Sequence, residues 1–207
     1  MMRIYGSLSP MYLKAVMVAE ELGLKYEVVP VDISKGEART PEHMARHPFG
    51  KVPVLEHEGR HIFESNAIIR YMAGVAKSPL YPDDLYQRAV VDQWVDYFTL
   101  QVGRWTTSCW FETCIAPKYF NRQPNEQTLR DAKEALLEAM PVVNAHLAKN
   151  PHLAGSQLTL ADINAYALTQ GWRDAGLNFT DFPEFLRWFD GVAARDGIKR
   201  AWTLLNP

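Results

Sequence analysis

The sequence predicts two domains of different class, a small mixed α/β domain followed by an all-α domain. Three observations carry this reading. Residues 1–77 alternate short strand-like and helix-like apolar segments in the order β-α-β-α-β-β-α. "KSPLYPDDLYQ", Lys77 to Gln87, is polar, holds two prolines and has no period, so residues 78–87 read as a linker. Beyond it, across residues 88–207, apolar residues recur only at helical spacing.

The elements are taken in chain order. Arg3 to Tyr5 is a short strand. Pro10 to Leu22 carries Leu13, Val16, Met17 and Ala19 on a helical face and stops at Gly23. Tyr26 to Val31 is a second strand, and Pro41 to Arg46 a short helix opened by proline. Val54 to His57 and Arg60 to Phe63 flank the turn Glu58-Gly59 as a hairpin. Ser65 reads as the N-cap of a helix from Asn66 to about Ala76. Parallel strands joined by a helix and followed by a hairpin make a small mixed sheet with helices on both faces. In the second domain Trp94, Phe98, Val102, Trp105 and Cys109 form one helical stripe, and Leu129, Leu136, Met140, Val143 and Leu147 another, with a kink expected at Pro141. Thr159 and Asp162 form a capping-box variant, and Pro183 opens a last apolar helix.

Composition narrows the function. A chain of 207 residues with net charge -2 has no basic surplus for a nucleic-acid partner. MMRIYGSLSP lacks the apolar core of a leader, and no run of about 18 apolar residues exists to span a membrane. Cys109 and Cys114 have neither redox-motif nor zinc-site spacing, so no metal is expected and both read as reduced, structural thiols of a cytoplasmic protein.

Pro53 sits between apolar residues at the mouth of the hairpin. It has no N–H for a sheet ladder, so a strand start suits it. A trans bond that blunts the strand is the ordinary case. A cis bond would instead turn the Val52 N–H and C=O toward an extended peptide ligand.

The block "GEARTPEHMARHPFGKVPVLEHEGRHIFESNAIIRYMA", Gly36 to Ala73, resembles the glutathione-site segment of the cytosolic glutathione S-transferases, nearest the phi class with some theta character. "HLAGSQLTLADI", His152 to Ile163, is similar to the helical-domain capping motif of the same family. The resemblance covers nearly the whole chain. It implies a thioredoxin-like first domain and a cis Pro53, with the Val52 backbone holding the cysteinyl part of glutathione. It implies conjugation of the glutathione thiolate to a hydrophobic electrophile, and a homodimer.

Carried over by position, Ser9 becomes the thiol-activating residue. It also fits a plain N-cap before Pro10, and the two roles are compatible because a hydroxyl donates once and accepts twice. Tyr5 and Ser7 are its substitutes. Glu64 and Ser65 meet the γ-glutamyl end, Ser65 at a helix start suited to a carboxylate. Lys51 is expected at that end too, and Arg39 at the glycine carboxylate, where Ala38 replaces the second basic residue of the phi pattern. Phe49 is the candidate dimer key. Met11, Tyr12 and Trp110 are the candidate electrophile pocket. Two other functions share the fold: a glutathione-dependent peroxidase or thiol-redox enzyme, which the absence of cysteine at position 9 disfavours, and a non-catalytic binding or scaffold module.

Overall fold

The computed structural model describes residues 1–205; Asn206 and Pro207, the end of the expected helical domain, lie outside the described residues. The chain divides into two compact units, Met1–Tyr81 joined by the segment from Arg195 onward, and Pro82–Ala194.

The first unit contains strands β1 (Met2–Gly6), β2 (Tyr26–Pro30), β3 (Val54–His57) and β4 (Arg60–Ile62), with helices α1 (Pro10–Glu21), α2 (Pro41–Arg46) and α3 (Ser65–Val75). The sheet order is β2-β1-β3-β4. β1 runs parallel to β2, with Ile4 beside Val28, and antiparallel to β3, with Ile4 beside Leu55. β3 and β4 close the hairpin. The pleat then assigns faces. On one, Tyr5 and Val54 bury with Val31 and Ala38. α1 and α3 pack against each other through Leu13, Ile68, Ile69 and Met72, all essentially without exposure.

The second unit is helical: α4 (Leu85–Tyr97), α5 (Arg104–Trp110), α6 (Ala116–Phe120), α7 (Glu126–Leu147), α8 (Leu160–Thr169) and α9 (Pro183–Ala193). α8 is buried along its whole length. Its polar members are satisfied inside: Asn164 donates to the Val95 carbonyl at 3.2 Å, and Thr169 to Ala165 at 2.7 Å. α7 continues as one helix through Pro141. No helix of the described residues is long and apolar enough to cross a membrane.

Four expectations change. The linker is shorter than residues 78–87, because α4 already starts at Leu85, where the Asp84 side chain accepts from the Gln87 N–H at 2.9 Å. A final helix, α10 (Asp196–Leu205), belongs with the first unit instead of the helical one. It lies on α1, where Arg195 reaches Glu21 at 2.7 Å and Arg200 reaches Glu20 at 2.7 Å. A Cβ on Gly197 would run into Glu21, so only glycine lets the two helices approach so closely there. Third, two π-helical turns, Phe98–Gly103 and Phe111–Ile115, separate α4, α5 and α6. Each adds a residue to its turn and rotates the helix beyond it. Thr106, not Trp105, therefore carries the next buried side chain after Val102, and its hydroxyl donates to the Leu168 carbonyl at 2.7 Å. Fourth, Ser65 is the first residue of α3, and the capping position falls to Glu64.

Candidate active site

α1 begins where the sequence places it. Ser9 is extended, with φ -158° and ψ 158°, and its Oγ accepts the Tyr12 N–H at 3.3 Å. Pro10 occupies the first helical position, where no N–H is needed. The cap uses one lone pair of the hydroxyl, and its proton can serve an anion at the positive end of the helix.

Tyr5 is spoken for. Its Oη donates to Glu56 Oε2 at 2.6 Å, and the Arg46 guanidinium lies over its ring at 4.4 Å from the centroid. Burial first, and then the bond to Glu56, push its pKa up, so the phenol holds its proton. It is poorly suited to activate a thiol. Tyr12 is a core residue as well. Its ring fills the space where Gly6 lacks a side chain, and burial drives its pKa up to about 12. That removes it from the expected pocket lining. Met11 is half-buried, and its sulfur receives the Ser65 hydroxyl at 3.7 Å. The first turns of α1 and α3 are thereby in contact. Trp110 belongs to the helical unit, where it is half-buried.

α3 starts on an unusual backbone. Glu64 has φ 66° and ψ 110°, a positive φ that a residue with a Cβ rarely adopts, and no side chain caps the helix. The Glu64 side chain itself therefore accepts from none of the first-turn N–H groups. Glu64 itself is exposed, while Ser65 is 8% exposed. An acid beside open helix donors suits a ligand that carries both an ammonium and a carboxylate.

The loop between α2 and β3 is braced by two histidines that sequence reading did not single out. His43, buried, donates from Nε2 to the Lys51 carbonyl at 2.9 Å. His47, also buried, accepts the Phe49 N–H on Nδ1 at 3.2 Å and packs its ring on Phe63. Burial lowers the His47 pKa, in keeping with a neutral ring that accepts. The only signal in the sequence was two histidines four residues apart around a short helix, which many surface loops share. Between these braces the loop presents Lys51 and Phe49 to solvent, Phe49 at 70% exposure. The Val52-Pro53 bond is cis, and Val52 packs against the Tyr5–Val54 cluster.

Arg39 donates from Nη1 to the Phe49 carbonyl at 2.9 Å. Its neighbour Ala38 is 4% exposed within that same cluster. A basic side chain at 38 would have to enter an apolar core, which explains why the pair is incomplete here. Gly50 crosses directly over the Ala38 carbonyl with φ 54°, a passage that leaves no room for a Cβ.

The first unit thus brings Ser9, Met11 and Ser65 together at the starts of two packed helices, with Glu64 adjoining Ser65 in sequence. Among the described residues, no three of His, Cys, Asp and Glu cluster as a metal ion would need. In the helical unit the capping motif is realised around Asp162. This fully buried carboxylate accepts from the Leu153 N–H at 2.9 Å, the Thr159 N–H at 2.8 Å and Trp188 Nε1 at 2.8 Å.

Known proteins share these features. Residues 1–74 match the family described as glutathione S-transferase, N-terminal domain, and residues 106–196 its C-terminal domain. A probable glutathione S-transferase GSTF2 of Oryza sativa subsp. japonica is 34% identical over 210 residues, covering 100% of this chain and 98% of that one. Elongation factor 1-gamma of Prunus avium is 35% identical over 198 residues, 93% of this chain but 43% of that protein. A solved glutathione S-transferase-I, bound with lactoylglutathione, superposes with a TM-score of 0.86 at 29% identity, covering 98% of this chain and 99% of that one.

Proposed function

Because the chain belongs to the glutathione S-transferase family, with a phi-like pattern, we propose that it conjugates the glutathione thiolate to hydrophobic electrophiles. The observation that carries this reading is the Ser9 hydroxyl at the start of α1, which caps the helix with one lone pair, a role that is compatible with donating its proton to an anion. Glutathione lies along the first unit, its γ-glutamyl end at Glu64, Ser65 and Lys51. Its cysteinyl backbone pairs with Val52 beside Pro53, and its glycine carboxylate meets Arg39.

The chemistry asked of Ser9 is modest. A free thiol has a pKa near ~8.5, so only a few per cent is thiolate at neutral pH. Lowering that value by about two units takes roughly 2.7 kcal/mol of preference for the thiolate. One hydrogen bond to a charged group supplies about 1.5–3 kcal/mol. The α1 N-terminus adds ~0.3–1 kcal/mol. Ser9 therefore stabilises the nucleophile without acting as a base. The thiolate attacks the electrophilic carbon, and the leaving group departs with the bonding pair.

Met11, at the start of α1, is assigned to the electrophile's binding surface. Phe49, exposed on a braced loop, is assigned to the partner subunit of a two-fold homodimer. A glutathione-dependent reaction suits the reducing cytoplasm. The similarity to elongation factor 1-gamma supports one second reading, a scaffold module without catalysis. A glutathione titration, run with one assay on a chloronitroaromatic and one on a hydroperoxide, tests the reading. Conjugation with saturable glutathione supports it. Reduction of the hydroperoxide alone would move the activity to peroxidase, and no glutathione binding at all would leave the scaffold.

A further inference from the structure

Lys14 is the sole buried lysine among the described residues, without exposure in the second turn of α1. Its ammonium donates to Asn66 Oδ1. Asn66 is the neighbour of Ser65 in the first turn of α3, and Ser65 itself reaches Met11 one turn before Lys14. Two side-chain links therefore fasten α1 to the beginning of α3. One of them uses a charge that is expensive to bury.

The surroundings of this ammonium work mainly against its charge. Burial is the main force on it, and the nearby Arg70 guanidinium acts in the same direction; Glu64 opposes them. Together they bring its pKa down to about 7. The elements packed on α1 carry other charged groups, among them Asp196 and Lys199 of α10. Arg195 and Arg200 at α10 hold Glu21 and Glu20, and Arg3 of β1 holds Glu27 and Glu56. A methionine would fill the same volume at lower cost. A costly cation directly behind the open helix start calls for a reason outside stability.

We propose that Lys14 is a positioning residue of this site: by gripping Asn66 it holds the first turn of α3, and adds positive potential beneath it, for the γ-glutamyl carboxylate of glutathione. The inference rests on the reading that this site binds glutathione. Lys14 touches neither the thiol nor the electrophile, so it acts on affinity and not on the bond-making step. Its support is full while the ammonium is charged and weakens as pH rises through about 7.

The test is calorimetric binding of S-methylglutathione, whose blocked thiol removes the other proton equilibrium, at pH 6.5 and 8.5. Lys14→Met should bind roughly tenfold more weakly than the parent at pH 6.5, the size of one lost hydrogen-bonded support. The gap should narrow at pH 8.5, while kcat at saturating glutathione and the melting temperature do not fall. Asn66→Ala, which leaves the buried position untouched, should lose affinity similarly, and the double variant should be no worse than the weaker single. If Lys14→Met does not fold, Asn66→Ala alone decides. Variants that bind like a binding parent at both pH values overturn the inference and leave the glutathione site standing. A parent that binds no S-methylglutathione overturns both.

Discussion

The start of α8 and the starts of α1 and α3 face the same physical problem with opposite outcomes. Every helix begins with N–H groups that have no intrahelical partner. At α8 the buried Asp162 carboxylate bonds to Thr159, Leu153 and Trp188, and no edge is left for solvent. At α1 a half-buried serine makes a single cap bond of 3.3 Å. At α3 no side chain caps the helix at all, and Glu64 sits at positive φ. The first end is closed by three elements of its own unit, whereas the other two rest on little or no capping by the side chain at the cap position.

The comparison breaks if both kinds of end respond alike to mutation. Asp162→Ala gives the largest effect. It strands four buried donors, the Thr159 hydroxyl among them, each worth about 1–3 kcal/mol when unmet, so chemical denaturation should show a loss of at least ~3 kcal/mol. Any activity that survives should have an unchanged KM for glutathione. Ser9→Ala inverts this pattern. Loss of the cap should cost only ~1 kcal/mol of stability, yet turnover should fall at least tenfold. The thiolate absorbance of bound glutathione, tracked against pH, should titrate at a higher value. Curves that overlay would reduce Ser9 to a cap and pass its role to Ser7.

Glu64→Gly sharpens the contrast further. A backbone held at positive φ costs about 1–3 kcal/mol for a residue with a Cβ. Glycine relieves it, and the larger entropy of the unfolded chain offsets part of that gain. The melting temperature should rise slightly while glutathione affinity drops. A variant that is less stable would show that Glu64 has a structural role of its own.

The smallest effect concerns pH. Burial holds the His47 pKa below its ordinary value of 6.5, so the unfolded chain takes up that proton more readily than the folded one. Its contribution to stability is full above that value and is lost as pH falls below it. His47→Gln should flatten the stability curve between pH 5 and 7 by about 1 kcal/mol or less. A parent curve already flat across that interval would contradict the bracing role.

These contrasts also mark which features a sequence can carry. The α2 boundaries, Pro41 to Arg46, and the Ser9 cap were legible because proline and serine act through their own backbone and side chain. Ser65 misled because serine is the preferred cap, whereas here the preceding residue, Glu64, takes the cap position with an unfavoured dihedral. The burial of Thr106 in place of Trp105 needed knowledge of a π-turn, which leaves no compositional mark. Ala38 looked like a missing cation until the core around it came into view. The burial of Lys14 left no local mark, because its partner Asn66 lies 52 residues away.

The return of α10 to α1 has a consequence for how the protein is made. Glu20 and Glu21 meet Arg200 and Arg195 only after the more than 170 residues between them have been synthesised. The sheet can pair early, as its strands leave the ribosome. The outer flank of α1, with Ile198 and Ala201 packed out of solvent, waits for the codons of α10. A nascent chain arrested after Ala194 would thus carry a sheet domain with one apolar flank uncovered, a natural target for chaperones, and release of α10 would be the event that covers it.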